Sequence, residues 1–272
     1  RVRRQRQMCI RDREIMLDKK FGASGNHVVV EEFLTGPEVS VLSFCDGKTV
    51  KPMVSSMDHK RALDHDEGLN TGGMGTVAPN PYYTPEIAER CMKEIFLPTV
   101  AAMQAEGCPF KGCLYFGLML TPDGPKVIEY NCRFGDPETQ VVLPLLESDL
   151  LTVMESTTNG TLDTTEVKFR DGAAACVILA SGGYPLSYEK GKEISGLAAG
   201  QLDAADVTVY HAGTAIKDGK LVTNGGRVLG VTATANTLPD ALKKAYAATE
   251  NIHFDKLHKR SDIGARALAA ME

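Results

Sequence analysis

The sequence has no long apolar run and no Cys-x-x-Cys pair. Because no stretch approaches the roughly 18 apolar residues that a membrane-spanning helix needs, we expect no transmembrane segment. The seven cysteines are odd in number, which argues against a disulfide framework and favours the reducing cytoplasm. The remaining composition, 43% hydrophobic and 24% charged, is typical of a globular protein of one or two domains.

Common catalytic signatures are also missing. No Gly-Lys-Ser/Thr follows the glycine-rich stretch, which excludes a Walker A phosphate loop. The six histidines lack the His-Glu-x-x-His spacing of a zinc protease, and Ser181 lacks a Gly-x-Ser-x-Gly context. We therefore expect no serine nucleophile and no zinc-protease site.

Charge is distributed unevenly along the chain. The net charge is −5, but residues 1–13 carry six arginines and one aspartate, so the remainder carries −10. An acidic body argues against nucleic acid as a partner. The basic head has three interpretations: a nucleic-acid arm, a transit peptide, which would be serine-rich, or a foreign or disordered tail. We favour the last.

Local patterns predict an α+β protein with a boundary in the polar stretch that begins near residue 161. Residues 14–163 form the first predicted domain, with strands at Val28–Val30 and around residues 39–44. A helix should begin after Thr84, be disturbed at Pro98 and end near Gly107. Residues 164–272 form a smaller, mainly-β domain with one helix, which Thr237 should cap.

The strongest chemical signal is the segment VIEYNCRFGDPE. Glu129 and Asn131 lie two apart on a predicted strand, so both side chains leave the same face. Carboxylate and amide oxygens suit Mg²⁺, and Arg133 could clamp a carboxylate or phosphate from the same face. The alternative is a surface strand with a salt-bridged Glu–Arg pair, and the spacing alone does not decide between them.

Two further segments carry weaker signals. In VVVEEFLTGPEVSV, a strand ending in a loop could offer backbone groups to a heterocycle, but the pattern alone favours a plain hairpin with exposed acids. In NTGGMG, residues 70–75, three glycines could form an anion-binding nest, or a flexible turn. Two cations nearby, Lys60 and Arg61, favour the phosphate interpretation.

Taken together, these segments resemble the phosphoribosylamine–glycine ligase family of the ATP-grasp superfamily. The resemblance is carried by DKKFG, VVVEEFLTGPEVSV, DHKRA, NTGGMG, GLMLTPDGPKVIEYNCRFGDPETQVVLPLLESDLL, ASGGYP, HAGT, NGGRVLGVTA and RSDIGARAL. These recur in the family's order from about residue 14 onward. They imply the C-terminal part of an ATP-grasp fold, an antiparallel sheet with flanking helices, followed by the smaller domain.

The resemblance also implies residue roles. Glu31, Glu32, Phe33 and Leu34 would hold adenine, and Glu38 would bind the ribose. Glu129 and Asn131 would ligate Mg²⁺, with Mn²⁺ as an alternative, and Arg133 would stabilise the transferring phosphoryl group. Lys60, Asn70, Gly72 and Gly73 would face substrate or phosphate.

The implied reaction joins glycine to 5-phosphoribosylamine at the expense of ATP, through glycyl phosphate, in purine biosynthesis in the cytoplasm. Such a transfer needs positioning and charge neutralisation rather than an enzyme nucleophile, which agrees with the missing signatures. We expect the family's N-terminal part as a partner, and little activity without it. Residues 1–13 resemble no segment of the family, which favours a foreign or artefactual start.

Two alternatives stay open at this point. The chain could bind nucleotide without catalysis, or belong to another ATP-grasp enzyme such as a carboxylase subunit, although it has no Met-Lys biotin motif. The strand before Glu129, CLYFGLML, lacks the additional acid found in many ATP-grasp enzymes, so the number of metal ions is undecided.

Overall fold

The computed structural model describes residues 17–19, 22–27, 29–197 and 206–272. Residues 1–34 and residues 35–272 form two separate compact units. In the first, a short 3-10 helix spans Gly22–Asn26. The predicted basic tail of residues 1–13 lies outside the described residues.

The second unit contains fourteen strands and six α-helices in its described residues. The strands are β1 Glu38–Asp46, β2 Val50–Pro52, β3 Met57–Asp58, β4 Arg61–Leu63, β5 Glu67–Asn70, β6 Gly75–Ala78, β7 Lys111–Thr121, β8 Gly124–Asn131, β9 Ala173–Ser181, β10 Val207–His211, β11 Thr214–Lys217, β12 Lys220–Thr223, β13 Arg227–Ala235 and β14 Leu257–His258. The helices are α1 Pro85–Cys91, α2 Leu97–Ala105, α3 Thr139–Val142, α4 Leu150–Asn159, α5 Leu238–Thr249 and α6 Ala265–Ala269.

The first sheet is antiparallel, with the order β2-β1-β7-β8. One of its faces carries Val39, Val41 and Phe116, which are buried against Phe96 and Val100 of the α1–α2 layer. Because side chains alternate along a strand, the neighbouring residues of β1, β7 and β8 leave the opposite face. That second face carries the candidate site.

The second sheet has six strands in the order β10-β13-β9-β6-β3, and β14 also pairs with β9. Every residue of β9 is buried, as its apolar run AAACVILA predicts. Helix α5 covers one face through Leu238, Ala241 and Ala245. The sheet takes β3 and β6 from before the predicted boundary at residues 163/164 and the other strands from after it, and the boundary itself stays a prediction.

Local signals predicted where two helices of the second unit begin. Thr84 caps α1 by accepting a hydrogen bond from the Ile87 N–H at 3.4 Å, and Thr237 caps α5. A single π-helical turn, Met92–Phe96, joins α1 to α2 just before Pro98, which has no N–H to donate. The α+β class and the antiparallel sheet with flanking helices are confirmed, and the C-terminal region adds the short α6 to its one predicted helix.

The strand predicted at Val28–Val30 is wrong for its described residues. Val29 and Val30 belong to no strand and are 83% and 92% exposed. Their β-branched side chains favour extended backbone, but a strand forms only where a neighbour completes its hydrogen bonds. The first strand begins at Glu38 instead.

The absence of a transmembrane segment was also predicted from the sequence. Across the described ranges, none of the helices combines the length and apolar character needed to cross a bilayer.

Candidate functional site

The candidate site lies on the second face of the four-stranded sheet, where Glu38 and Glu129 are exposed. Leu42, Phe44 and Tyr115 of the same face are buried, and we call only the exposed part the open face.

Glu38 and Ser40 alternate along β1, and Ser40 pairs with Gly117 of β7. Gly117 in turn pairs with Glu129 of β8. Directly paired residues share a face, so Glu38, Ser40 and Glu129 project to the same side. The side chain of Asn131, two residues beyond Glu129 on β8, projects to the same side.

Glu129 occupies the space that Gly117 leaves open. A Cβ at Gly117 would lie 2.9 Å from Cγ of Glu129, so the glycine lets the carboxylate lie across the sheet. Within the described residues, no three His, Cys, Asp or Glu side chains converge as a metal site. A carboxylate and an amide oxygen fit Mg²⁺, which takes one or two protein ligands and completes its octahedron with phosphate and water. Glu129 and Asn131 together therefore suit a metal that arrives with a nucleotide.

Lys60 connects the glycine-rich region to this face. Its Nζ lies 3.1 Å from Oε2 of Glu38. Partial burial alone would lower the pKa of the Lys60 ammonium. The acidic side chains of Glu38, Glu129 and Asp58 have the larger combined effect, so the pKa of Lys60 is raised. Lys60 therefore stays charged and lies within electrostatic reach of the predicted metal ligand.

A buried polar network extends the site, and the sequence patterns did not predict it. The Tyr115 hydroxyl donates to Oε1 of Glu138 at 2.9 Å, and Oγ of Ser40 lies 2.7 Å from the same hydroxyl. Burial raises the pKa of Glu138. Burial and the facing Glu138 raise the pKa of Asp58 well above its usual range. Burial therefore disfavours the charged form of both acids.

The sequence contained a partial signal for these two acids. Asp58 begins the DHKRA phrase and Glu138 ends GDPE, both of which carry the family resemblance. Their partnership depends on residues 80 positions apart meeting through the fold, which no local spacing predicts.

Arg133 lies beyond the strand that was expected to carry it. Strand β8 ends at Asn131, so the expected alternation does not extend to Arg133. Its side chain is exposed and donates to the Phe134 carbonyl at 2.9 Å. Its charge nevertheless acts on Glu138, whose pKa it lowers against the larger effect of burial. Its catalytic role stays a prediction.

The NTGGMG loop is held tightly by its own backbone groups. The Thr71 N–H donates to the Lys60 carbonyl at 2.7 Å, and the Met74 N–H donates to the His59 carbonyl at 2.8 Å. The Gly72 N–H donates to the Tyr184 hydroxyl at 3.0 Å, and the Gly73 N–H to Oγ1 of Thr71 at 2.9 Å. These four donors are already used, which disfavours the anion-binding nest.

Arg227 secures the same loop from the C-terminal side. Its Nη1 donates to the Gly72 carbonyl at 2.6 Å and to the Asp136 carbonyl at 2.8 Å. The loop and the segment before Glu138 are therefore held by one guanidinium. Contacts of Gly72 and Gly73 with substrate stay predictions.

Residues 31–34 belong to the first compact unit. Glu31, Glu32 and Phe33 are exposed, Leu34 is half-buried, and none lies in a strand. Their predicted role is through backbone atoms, which extended and exposed chain can supply. Adenine binding by this segment stays a prediction.

Two family models match the chain. Residues 2–139 match the ATP-grasp (A) domain of phosphoribosylglycinamide synthetase, and residues 174–266 match the C domain of the same family. The first match includes most of the basic head, which the sequence interpretation had placed outside the family.

Relatives of known sequence and structure agree with the family that the two models indicate. A phosphoribosylamine–glycine ligase of Synechocystis is 51% identical over 89% of this chain, which covers 58% of that protein. The crystal structure of a phosphoribosylamine–glycine ligase from Thermotoga maritima superposes with a TM-score of 0.77 at 39% identity, covering 86% of this chain and 57% of that one.

A more distant structure shares the fold alone. The biotin carboxylase domain of a Hydrogenobacter thermophilus 2-oxoglutarate carboxylase, solved with MgADP, superposes with a TM-score of 0.60 at 14% identity. It covers 89% of this chain and 51% of that one. The match to the ATP-grasp (A) domain and the superposition on the Thermotoga maritima ligase confirm the predicted ATP-grasp fold.

Proposed function

The chain belongs to the phosphoribosylglycinamide synthetase family, and from this premise we propose that it supplies the nucleotide and metal site of an ATP-dependent ligase joining glycine to 5-phosphoribosylamine. One observation carries the proposal: Glu38, Glu129 and Asn131 share one face of the sheet, and Lys60 is paired with Glu38 there. The chain spans 58% of the Synechocystis relative, so activity, substrates and partners are proposed for the whole enzyme.

The chemistry requires two steps. The glycine carboxylate attacks the γ-phosphorus of ATP, which gives glycyl phosphate and releases ADP. The amine of 5-phosphoribosylamine then attacks the acyl carbon, and phosphate leaves as the amide forms. A carboxylate is a poor acyl donor until it is phosphorylated, which is why ATP is needed.

The residues of the open face suit the first step. Glu129 and Asn131 would hold Mg²⁺, which when bound neutralises the phosphate charge that builds up during transfer. Lys60 places a fixed positive charge beside them, and Arg133 adds a planar guanidinium at the end of β8. Positioning and charge neutralisation of this kind account for phosphoryl transfer without a covalent enzyme intermediate.

Glu38 would bind the ribose and residues 31–34 the adenine. In the structure Glu38 is engaged by Lys60, so nucleotide binding would require the two to share or exchange partners. We propose ATP with Mg²⁺ as the ligands and the cytoplasm as the location. The thiol state agrees with a reducing compartment, since every cysteine in the described residues is free.

The proposal is tested by calorimetry of MgATP binding to this chain. We expect Glu129→Ala to weaken affinity at least tenfold, because the variant removes the carboxylate ligand of the metal. Glu155→Ala, an exposed acid on α4, is the matched control and should bind as the wild type does. Equal affinity in Glu129→Ala would contradict the assignment.

A second assay distinguishes the ligase from the alternative, a nucleotide-binding module without catalysis. ADP release is followed after adding glycine and phosphoribosylamine, first to this chain and then to the whole enzyme that contains it. Turnover in the whole enzyme that Glu129→Ala abolishes supports the ligase. Binding of MgATP without turnover in the whole enzyme supports the binding module.

A further inference from the structure

A polar cleft of 240 Å³ opens beside the proposed nucleotide site. It is lined by three cations, Lys60, Arg61 and Arg266, and by three carboxylates, Glu38, Asp58 and Asp66. Asn70, which pairs with Arg61 across the β4–β5 hairpin, completes the wall. The cleft shares Glu38 and Lys60 with the nucleotide site, so its occupant would lie next to the bound nucleotide.

The carboxylates of the cleft are already engaged. Glu38 pairs with Lys60, and Asp66 is shared by Arg260 and Arg266, at 3.0 and 3.1 Å. Asp58 accepts hydrogen bonds from the His59 N–H at 2.7 Å and from the Thr76 hydroxyl at 3.4 Å.

Arg61 differs from the other cations of the cleft. Its Nη1 donates to the Gly68 carbonyl at 2.8 Å. No ion pair with a carboxylate is formed by Arg61 within the part of the chain that the structure describes. Its guanidinium is exposed and has further N–H groups available to an anion.

Arg260 and Asp66 connect the two elements that carry Arg61 and Arg266. Arg260 is almost fully buried, and its side chain donates to the Arg61 carbonyl at 3.1 Å and to Asp66 at 3.0 Å. Asp66 in turn pairs with Arg266. The hairpin that carries Arg61 and the C-terminal helix that carries Arg266 are therefore joined through one buried side chain.

We propose that Arg61 and Arg266 form a subsite for the phosphate monoester of a sugar phosphate. The inference rests on the proposed function, in which one substrate is a ribose 5-phosphate derivative. Guanidinium groups bind phosphate oxygens in bidentate fashion, and two of them at one cleft give both charge and orientation. The backbone of the NTGGMG loop is not used, because its N–H groups from Thr71 to Met74 already donate within the protein.

Calorimetry with ribose 5-phosphate, a stable probe, tests the subsite on this chain. We expect wild type to bind ribose 5-phosphate, and ribose at least tenfold more weakly. Arg61→Gln and Arg266→Gln should each weaken ribose 5-phosphate binding at least fivefold, and Arg266→Lys should restore part of the loss. Arg170→Gln, an exposed arginine outside the cleft, should leave binding unchanged.

The controls separate the subsite from the nucleotide site. Thermal midpoints within a few degrees of wild type exclude a general folding defect in the Arg266 variants, which also lose the pair with Asp66. MgATP affinity should stay unchanged in Arg61→Gln. A parallel loss of MgATP binding would assign Arg61 to the nucleotide phosphates and overturn the proposal.

Absence of ribose 5-phosphate binding in a wild type that binds MgATP would overturn the subsite and leave the proposed function standing. Inorganic phosphate that binds as tightly as ribose 5-phosphate would contradict selectivity for a sugar phosphate.

Discussion

His59 is a buried histidine that links the segment after β3 to the C-terminal residues. Its Nδ1 lies 3.1 Å from the Gly75 carbonyl and its Nε2 lies 3.0 Å from the Gly264 N–H. These partners fix the tautomer: Nδ1 carries the proton and donates, and Nε2 accepts. A second proton on Nε2 would break the bond from Gly264, so the fold requires the neutral ring.

The neutral ring predicts a specific pH dependence of stability. Burial, with smaller contributions from the charges of Arg260 and Arg266, lowers the pKa of His59 to about 4, below about 6.5 in an unfolded chain. Between these values the unfolded state binds more protons, so the free energy of unfolding falls as the pH drops from about 6.5 to about 4. The full loss attributable to His59 is about 3 kcal/mol.

Urea denaturation across this pH range measures the effect. We expect His59→Gln to flatten the slope of unfolding free energy against pH, because glutamine can donate and accept without titrating. His211→Gln, at an exposed histidine, should keep the wild-type slope. Identical slopes in wild type and His59→Gln would show that another group controls this range.

At the residue scale, sequence predicted the chemistry of single positions better than their partnerships. Glu129 and Asn131 were assigned from strand alternation, and the register places them on one face. Glu138 and Tyr115 were not assigned, because their hydrogen bond links residues 23 apart in sequence and depends on how the segment after β8 folds back.

At the element scale, the glycine-rich loop between β5 and β6 is a packed structural part. Gly73 has φ +109°, a region that favours glycine. A Cβ there would lie 2.5 Å from Cδ of Pro137 and 2.6 Å from Oδ1 of Asp58. The loop therefore approaches the chain that carries the two buried acids, and only glycine allows the approach.

Gly73→Ala should therefore destabilise the protein by about 2–4 kcal/mol, the sum of a positive-φ penalty of about 1 kcal/mol and the cost of overpacking. Gly107→Ala is the matched control, since Gly107 also has positive φ but open space around it. We expect it to lose only about 1 kcal/mol. Chemical denaturation compares the two, and equal losses would mean that the contacts around Gly73 relax without cost.

The hairpins and helix ends were predictable because their signals are local. Asp123-Gly124 and Asp218-Gly219 mark the turns between β7 and β8 and between β11 and β12. The glycine-rich loop was harder to predict, because three glycines indicate either a flexible turn or an anion-binding nest. Part of what fixes its structure comes from Tyr184 and Arg227, which lie more than 100 residues away in sequence. The strand predicted at Val28–Val30 was wrong for a similar reason, because strand propensity does not supply a neighbouring strand.

At the scale of the whole molecule, residues 35–272 behave as one compact unit. Strand β6 pairs with β9, with Gly75 opposite Val177 and Ala78 opposite Ala174. The apolar cluster around Leu42 and Val142 also includes Ile178 of β9. Strand β9 therefore pairs with or packs against elements from both sides of the predicted boundary. We expect residues 35–272 to unfold in one cooperative transition.

Separating the chain at the predicted boundary tests this dependence. A fragment of residues 164–272 keeps β9 but loses β3 and β6 on one edge and the α3 segment on one face. Strand β9 is apolar from Ala173 to Ala180, and an exposed edge on such a strand promotes association rather than folding. We expect the fragment to aggregate or to give poorly dispersed amide resonances, whereas residues 35–272 should give dispersed ones. A monomeric fragment with a cooperative thermal transition would contradict this, because it would mean that β9 needs none of the partners supplied by residues 57–145.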